Sequence, residues 1–195
     1  MANPITLRNV RFGYCSLFQL NKNGKYSVRI LMPKSNTEAK ALLDAARAEA
    51  TEAGVNQKGG GLRPPVIADF LHDGDGPRPS DGAPYGEECH GCWVFDASTD
   101  RKPRVVDRNV QDILDPTQVY SGMWGNVSVS LYPYNNNGKK GIGCGLNHVQ
   151  KVNDGEPISG GITAEEAFKP VPATENAGPA GGVDPITGAP LPLGF

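Results

Sequence analysis

Apolar and polar residues alternate with a period of two across the stretch VYSGMWGNVSVSLYPYNNNGKKGIGCGLNHVQK, residues 119–151. Counting by twos from Trp124 puts Asn126, Ser128, Ser130, Tyr132 and Tyr134 on one side and Val127, Val129 and Leu131 on the other, the pattern of a half-buried strand. The aliphatic side is expected to face a core, leaving rings and amides wet. NNNGKKG supplies the Asn and Gly that a tight reversal needs and sets Lys139 and Lys140 near its tip, so a long β-hairpin is predicted. Gly141, Gly143 and Gly145 recur by twos on the return strand, opening one face to close approach. Pro133 falls between the two tyrosines and argues for a sheet edge or bulge there.

Similar periods organise the first half of the chain. Residues Ile5 to Phe18 have strand composition, with Val10, Phe12 and Tyr14 on one face, and LNKNG then reads as a turn. From Lys25 to Met32, Tyr26, Val28, Ile30 and Met32 oppose Lys25, Ser27 and Arg29. The two segments predict a hairpin with a partly basic face. After Pro33, Ser35 and Glu38 have capping-box spacing, and Ala39, Leu42, Leu43, Ala46, Ala50 and Ala53 recur at helical intervals up to Gly54, so one helix is expected to pack on the sheet. Residues 56–88 are rich in Gly, Pro and Asp and predict a long irregular excursion. A strand pair is expected at Cys92–Ser98 and Arg104–Val106, turning through Asp100 to Pro103, with Trp93 and Phe95 in the core. Residues 108–119 read as a helical turn or loop. Several short strands around one helix favour a small barrel of the OB type over a sandwich.

Composition adds a division. The chain has 195 residues with 25 Gly and 17 Pro, enough for one cored domain, residues 1–152, and an appendage, residues 153–195. Beyond Asn153 no period survives, and the Pro/Gly-rich ending predicts a disordered tail. The net charge of −2 conceals a contrast: the segment from Asn153 holds six acids against one base, while the body holds 18 bases against 15 acids. A mildly basic body suits a polyanion, and the acidic segment suits either competition for that surface or plain solvation. No apolar run approaches a membrane span, and MANPITLRNV lacks a signal-peptide pattern, which predicts a cytoplasmic protein without a membrane partner. Cys15, Cys89, Cys92 and Cys144 do not have the dense spacing of a disulfide scaffold, so reduced thiols are expected.

The chemical motifs were weighed against this surface. Cys89, His90 and Cys92 supply three soft ligands within four residues, but match no common zinc-site spacing. Asp73, Asp75 and Asp81 are interrupted by Pro77 and Pro79, which favours a turn over a calcium loop. GKKGIGCG has the order of neither a phosphate loop nor a dinucleotide fingerprint. None of the three histidines adjoins a nucleophile signature. No cofactor, metal or catalytic residue is therefore assigned, which leaves an enzyme possible but without support from any motif.

One family unites these segments. ITLRNVRFGY, KYSVRILMPK, LHDGD, RKPRVVD and the whole run from Val119 to Gly155 resemble the single-stranded DNA-binding proteins of tailed bacteriophages, formerly a domain of unknown function. The resemblance covers nearly all of residues 3–155. It implies a five-stranded Greek-key OB-fold barrel that coats single-stranded DNA in phage replication or recombination, in the cytoplasm of the infected bacterium. The ending PLPLGF departs from the densely acidic C-termini common in such proteins, leaving Phe195 as the candidate handle for phage or host replication proteins.

On this basis bases are expected to stack on Trp124, Tyr132, Tyr134 and Tyr14, with phosphates meeting Lys25, Arg29, Lys102, Arg104, Lys139 and Lys140. Ring stacking tolerates any base, and cationic contacts make affinity fall with salt. A phage structural or assembly protein using the same hairpin as a protein interface stands as the alternative.

Overall fold

The computed structural model describes residues 3–56, 68–136 and 139–158. Seven strands form one sheet in the order β3-β4-β2-β1-β6-β7-β5. They are β1 (Pro4–Ser16), β2 (Tyr26–Pro33), β3 (His72–Asp73), β4 (Cys92–Thr99), β5 (Arg104–Val106), β6 (Trp124–Asn136) and β7 (Lys139–Asn153). A further β4–β7 pairing joins Ser98 to Gly145 in parallel and closes β1, β2, β4, β7 and β6 into a five-stranded barrel. The OB-type barrel expected from the sequence is the fold of this chain.

Alternation fills the barrel. Val28, Ile30 and Met32 on β2, Phe95 and Ala97 on β4, Val127, Val129 and Leu131 on β6, and Cys144, Leu146 and Val149 on β7 are buried together. The one α-helix among the described residues, α1 (Thr37–Val55), contributes Ala39, Leu43 and Ala50 to the same core, while Leu42 stays 44% exposed. Its cap lies one residue beyond the expected Ser35. The Asn36 side chain accepts from the Ala39 N–H at 3.2 Å and donates to the Arg8 carbonyl at 2.8 Å, so one amide both starts the helix and ties it to β1. The helix runs past Gly54 to a C-cap at Asn56.

Two departures concern strand partners and faces. β4 and β5 are not a hairpin: β4 pairs antiparallel with β2, whereas β5 pairs parallel with β7 through Val105↔Val149. Tyr14 does not share the inward face of Val10 and Phe12. The β1–β2 register shifts between Gly13 and Ser16, and Tyr14 adopts φ 45°, a left-handed conformation uncommon in a residue with Cβ, which turns it out to 55% exposure.

The excursion between α1 and β4 covers part of the barrel's outer wall. Leu31 and Val94 point away from the interior and are buried against Tyr85 and Cys89. Lys34 fastens this cover, with its ammonium 2.6 Å from Asp73 and 2.7 Å from Asp75. After β7 the chain stays on the barrel. Arg11 donates to the Glu156 carbonyl at 2.7 Å, and the Ile158 N–H donates to the Ser121 carbonyl at 2.8 Å. The expectations placed on residues 159–195, including the disordered tail and Phe195, lie outside the described residues. Among the described residues no helix is long and apolar enough to cross a membrane.

Candidate nucleic-acid interface

The long hairpin forms with an unbroken register through its aromatic end: Tyr132↔Gly143, Pro133↔Ile142 and Tyr134↔Gly141. β1 accompanies β6 only as far as Pro4↔Ser130, so beyond Ser130 the β6 edge opposite β7 pairs with no strand among the described residues. Proline lacks the N–H a second ladder would need, which suits Pro133 to that edge. The glycines across from the tyrosines are filled by the rings themselves. A Cβ on Gly143 would lie 2.6 Å from Tyr132 Cζ, and one on Gly141 would lie 2.6 Å from Tyr134 Oη. The absence of side chains on β7 therefore lets both rings lie across it. Tyr132 remains 44% exposed, with Tyr134 half-buried.

Next to Tyr132 runs a shallow track of small side chains. Ser16↔Ser27, Ser27↔Ser98, Ser98↔Gly145 and Gly145↔Ser130 are successive cross-strand partners around the barrel. All face outward, since Val28, Ala97 and Leu131 beside them fill the interior. Asn147, bulged from β7, donates to Ser130 Oγ at 2.9 Å. Two residues along β2 from Ser27 stands Arg29, whose guanidinium carbon is 5.1 Å from the Tyr14 ring centroid. The site thus presents a ring at each border of a polar, low-relief floor, a shape that fits an extended chain of bases and phosphates.

The six proposed phosphate contacts are not equally available. Arg29 is held by both oxygens of Asp96, at 2.8 and 3.0 Å, and this bonding raises its pKa against the opposing effect of burial. Lys25 lies 3.4 Å from Asp100, and Arg104 2.9 Å from Asp112. The Lys102 ammonium sits 5.6 Å from the Phe18 ring centroid. Lys139 is exposed and Lys140 half-buried where the hairpin nears its turn. Trp124 stands apart from the tyrosines: it shares β6's outward parity with Tyr132, but eight residues separate them, about 26 Å of extended strand. The roles of Asp96, Asp100 and Asp112 emerge only with strand register, as does the serine track, which a single-strand pattern shows as ordinary polar positions.

The soft-ligand cluster is dispersed by packing. Cys89 is buried in the outer cover, its thiol pushed up to about 11 chiefly by that burial, and His90 Nδ1 lies 3.1 Å from Asp75. Burial also drives the Cys15 and Cys144 thiols up to about 12. Among the described residues no group of three His, Cys, Asp or Glu side chains is placed to hold a metal ion.

Several proteins similar to this chain come from phages. The single-stranded DNA-binding protein from bacteriophage Enc34 matches with a TM-score of 0.67 at 28% identity, covering 85% of this chain and 90% of that one. The same protein in complex with ssDNA matches with a TM-score of 0.67 at 26% identity, over 80% of this chain and 89% of that one. The gp2.5 single-stranded DNA-binding protein of bacteriophage T7 shares the fold, with a TM-score of 0.56 at 15% identity, over 94% of this chain and all of that one. A relative from Acyrthosiphon pisum secondary endosymbiont phage 1, described as putative protein p50, is 32% identical over 180 residues, 84% of this chain and 91% of that protein. The family model described as Enterobacter phage Enc34, ssDNA-binding protein, matches residues 3–178, and the chain belongs to this family.

Proposed function

We propose that this protein binds and protects single-stranded DNA without regard to sequence, in phage DNA replication or recombination and without catalysing a reaction. The observation that carries the reading is the part of the barrel's outer wall that no described residue covers, where a floor of serines and glycine runs between Tyr14 with Arg29 and Tyr132 with Tyr134. Bases stack on these rings, with Trp124 serving the far end of β6, and each good stack contributes about 1–3 kcal/mol whatever the base. Lys25, Arg29, Lys102, Arg104, Lys139 and Lys140 meet the phosphates. Arg29 does so by exchanging the Asp96 carboxylate for a phosphate, both of which accept its two parallel donors. Paired cations bind at a net cost of separating the pair, so moderate affinity is expected. The work is done by residues 1–152 in the cytoplasm of the infected bacterium, with residues 153–195 and their terminal Phe195 contacting phage or host replication proteins.

The test is a fluorescence titration with single- and double-stranded oligonucleotides at two salt concentrations. Salt-sensitive binding of moderate affinity to oligothymidylate, weakened roughly 5- to 150-fold by Tyr132→Ala and also reduced by Trp124→Ala, is expected. Unchanged affinity in both variants would remove the stacking mechanism, and failure of the intact protein to bind any single strand would favour a phage assembly role for the hairpin.

A further inference from the structure

We infer that the end of the barrel around Trp124 is a phosphate-binding subsite of its own, in which Arg8 takes a phosphodiester of the strand whose base meets Trp124. The inference rests on the single-stranded DNA reading and adds to it a cation that neither the sequence pattern nor the hairpin suggested.

Charge compensation is uneven: of the four described arginines without an acidic partner among the described residues, Arg8, Arg11, Arg101 and Arg108, all but Arg101 lie at this end, and Lys22, Lys102 and Lys139 are likewise without one elsewhere. Lys25, Arg29 and Arg104 each have an aspartate partner, as do Lys34, Lys40, Arg47, Arg78 and Lys151 elsewhere. Three arginines near Trp124 have none among the described residues. Arg11, the cross-strand partner of Trp124, donates only to the carbonyls of Gly122 and Glu156, at 3.3 and 2.7 Å. Arg108 donates to the Val152 carbonyl and to the Asn153 side chain, and Asn153 is the other cross-strand partner of Trp124. Arg8 is exposed and forms no side-chain hydrogen bond or ion pair with any of the described residues. Arg11 and Arg108 are occupied by neutral acceptors, so their positive charge persists, and Arg8 has its donors free.

The backbone is shaped to hold Arg8 there. The next residue, Asn9, has φ 54°, at a bulge where the β1–β6 register shifts between Leu7 and Val10. Both sides of the bulge are clamped: the Asn9 N–H donates to Asn126 Oδ1 at 3.1 Å, and Asn36 donates to the Arg8 carbonyl at 2.8 Å and the Asn9 carbonyl at 3.3 Å. Asparagine adopts this left-handed conformation more readily than most residues with a Cβ, and the surrounding hydrogen bonds fix it here. Arg8 and Trp124 consequently line one cavity of about 140 Å³ with Asn126 and Asn153. That cavity adjoins an open groove of about 870 Å³, also lined by Trp124 and Asn153, within the range of roughly 300–1,000 Å³ usual for small-molecule sites. Two acids are near. Asp154, in the groove, is satisfied by Lys151 at 2.7 Å and Tyr120 at 3.0 Å, and Glu38 shares a neighbouring cavity with Arg8 without pairing to it. The arrangement offers an indole, side-chain amides and an unpaired guanidinium, the chemistry of one nucleotide unit.

The experiment measures binding of the full-length protein to an oligothymidylate longer than ~16 nucleotides, the upper site size of a single OB fold, across a series of salt concentrations. Arg8→Ala is expected to weaken binding about fivefold at low salt and to reduce the slope of log K against log salt by ~0.7, the share of one phosphate contact. Arg8→Lys should restore the slope, and because Arg8 is exposed, thermal melting should match the wild type. If Tyr132→Ala weakens binding but Arg8→Ala leaves affinity and slope unchanged, the subsite is overturned and the proposed function stands. If the wild type binds no single strand, both fall.

Discussion

Two parts of the barrel's outer wall differ although they belong to the same pleated surface. On β2 and β4 the outward positions run from Ser27 and Ser98, through the Arg29–Asp96 pair, to Leu31 and Val94. The apolar end is sealed, with Leu31 at 0% and Val94 at 2% exposure beneath Tyr85 and Cys89. The polar end is covered by none of the described residues and continues through Gly145 to Ser130 and Tyr132. Strand alternation decides which side chains leave the interior, and their polarity then decides whether another segment covers them. Arg29 stands on the boundary, so the covered face buttresses a residue whose outer contacts, Tyr14 and Asp96, belong to the open one.

The largest effect expected from breaking this contrast is on stability. Leu31→Ala should cost about 2–5 kcal/mol, the range for a fully buried leucine, with the lower half favoured because the covering loop can settle into the space. Chemical denaturation measures the loss. Below the unfolding range, affinity for oligothymidylate should remain within about twofold of wild type, since the deleted methyls touch no proposed contact. A drop as large as that of Tyr132→Ala would mean that the covered face is part of the DNA path.

Legibility in the sequence followed the range of the interactions responsible. The β6–β7 hairpin and α1 were readable because their periods are local, and the residues assigned to the inner face of β6 are the ones buried there. The partner of β5 was not readable: adjacency suggested β4, while the observed parallel pairing with β7 joins Val105 to Val149, a contact that depends on barrel closure. Ser35 and Asn36 are both acceptable caps, and the additional hydrogen bonds of Asn36 to the Arg8 and Asn9 carbonyls favour the second. Tyr14 kept the phase of Val10 and Phe12 in the sequence, since a bulge at positive φ leaves no compositional trace when the residue is tyrosine. The aromatic end of the candidate site is therefore readable in the sequence, whereas the aspartates that restrain its cations and the guanidinium of Arg8, unpaired among the described residues, require register.

A smaller effect is expected where the open face depends on missing side chains. Gly143→Ala places a Cβ 2.6 Å from Tyr132 Cζ and 2.8 Å from its Oη, so the ring must lift from β7. The strand itself should tolerate the change, because glycine is a poor strand former. Affinity should fall about three- to tenfold, less than the full loss of a stack, with the melting temperature nearly unchanged. Equal affinity in Gly143→Ala and wild type would show that the ring's resting position on β7 is immaterial to binding.

The smallest effect concerns the acidic end of the chain, and the described contacts determine where to cut. Removal of everything after Val152 would also delete the Arg11–Glu156, Tyr120–Asp154 and Ser121–Ile158 hydrogen bonds, confounding charge with stability. Truncation after Ile158 keeps them and removes Glu165, Glu166, Glu175 and Asp184 against Lys169, a net charge of −3. Ile158 also ends close to the open face: a Cβ on Gly13 would lie 3.9 Å from its Cδ1 and 3.8 Å from Arg29 Cβ. Acids tethered beyond Ile158 are expected to compete with phosphate for the cations of the body. The truncated protein should bind oligothymidylate about two- to fivefold more tightly at low salt, with the difference vanishing as added salt screens both. Equal affinity at low salt would mean that these acids do not reach the cationic wall, leaving Phe195 and its neighbours to act on partners alone.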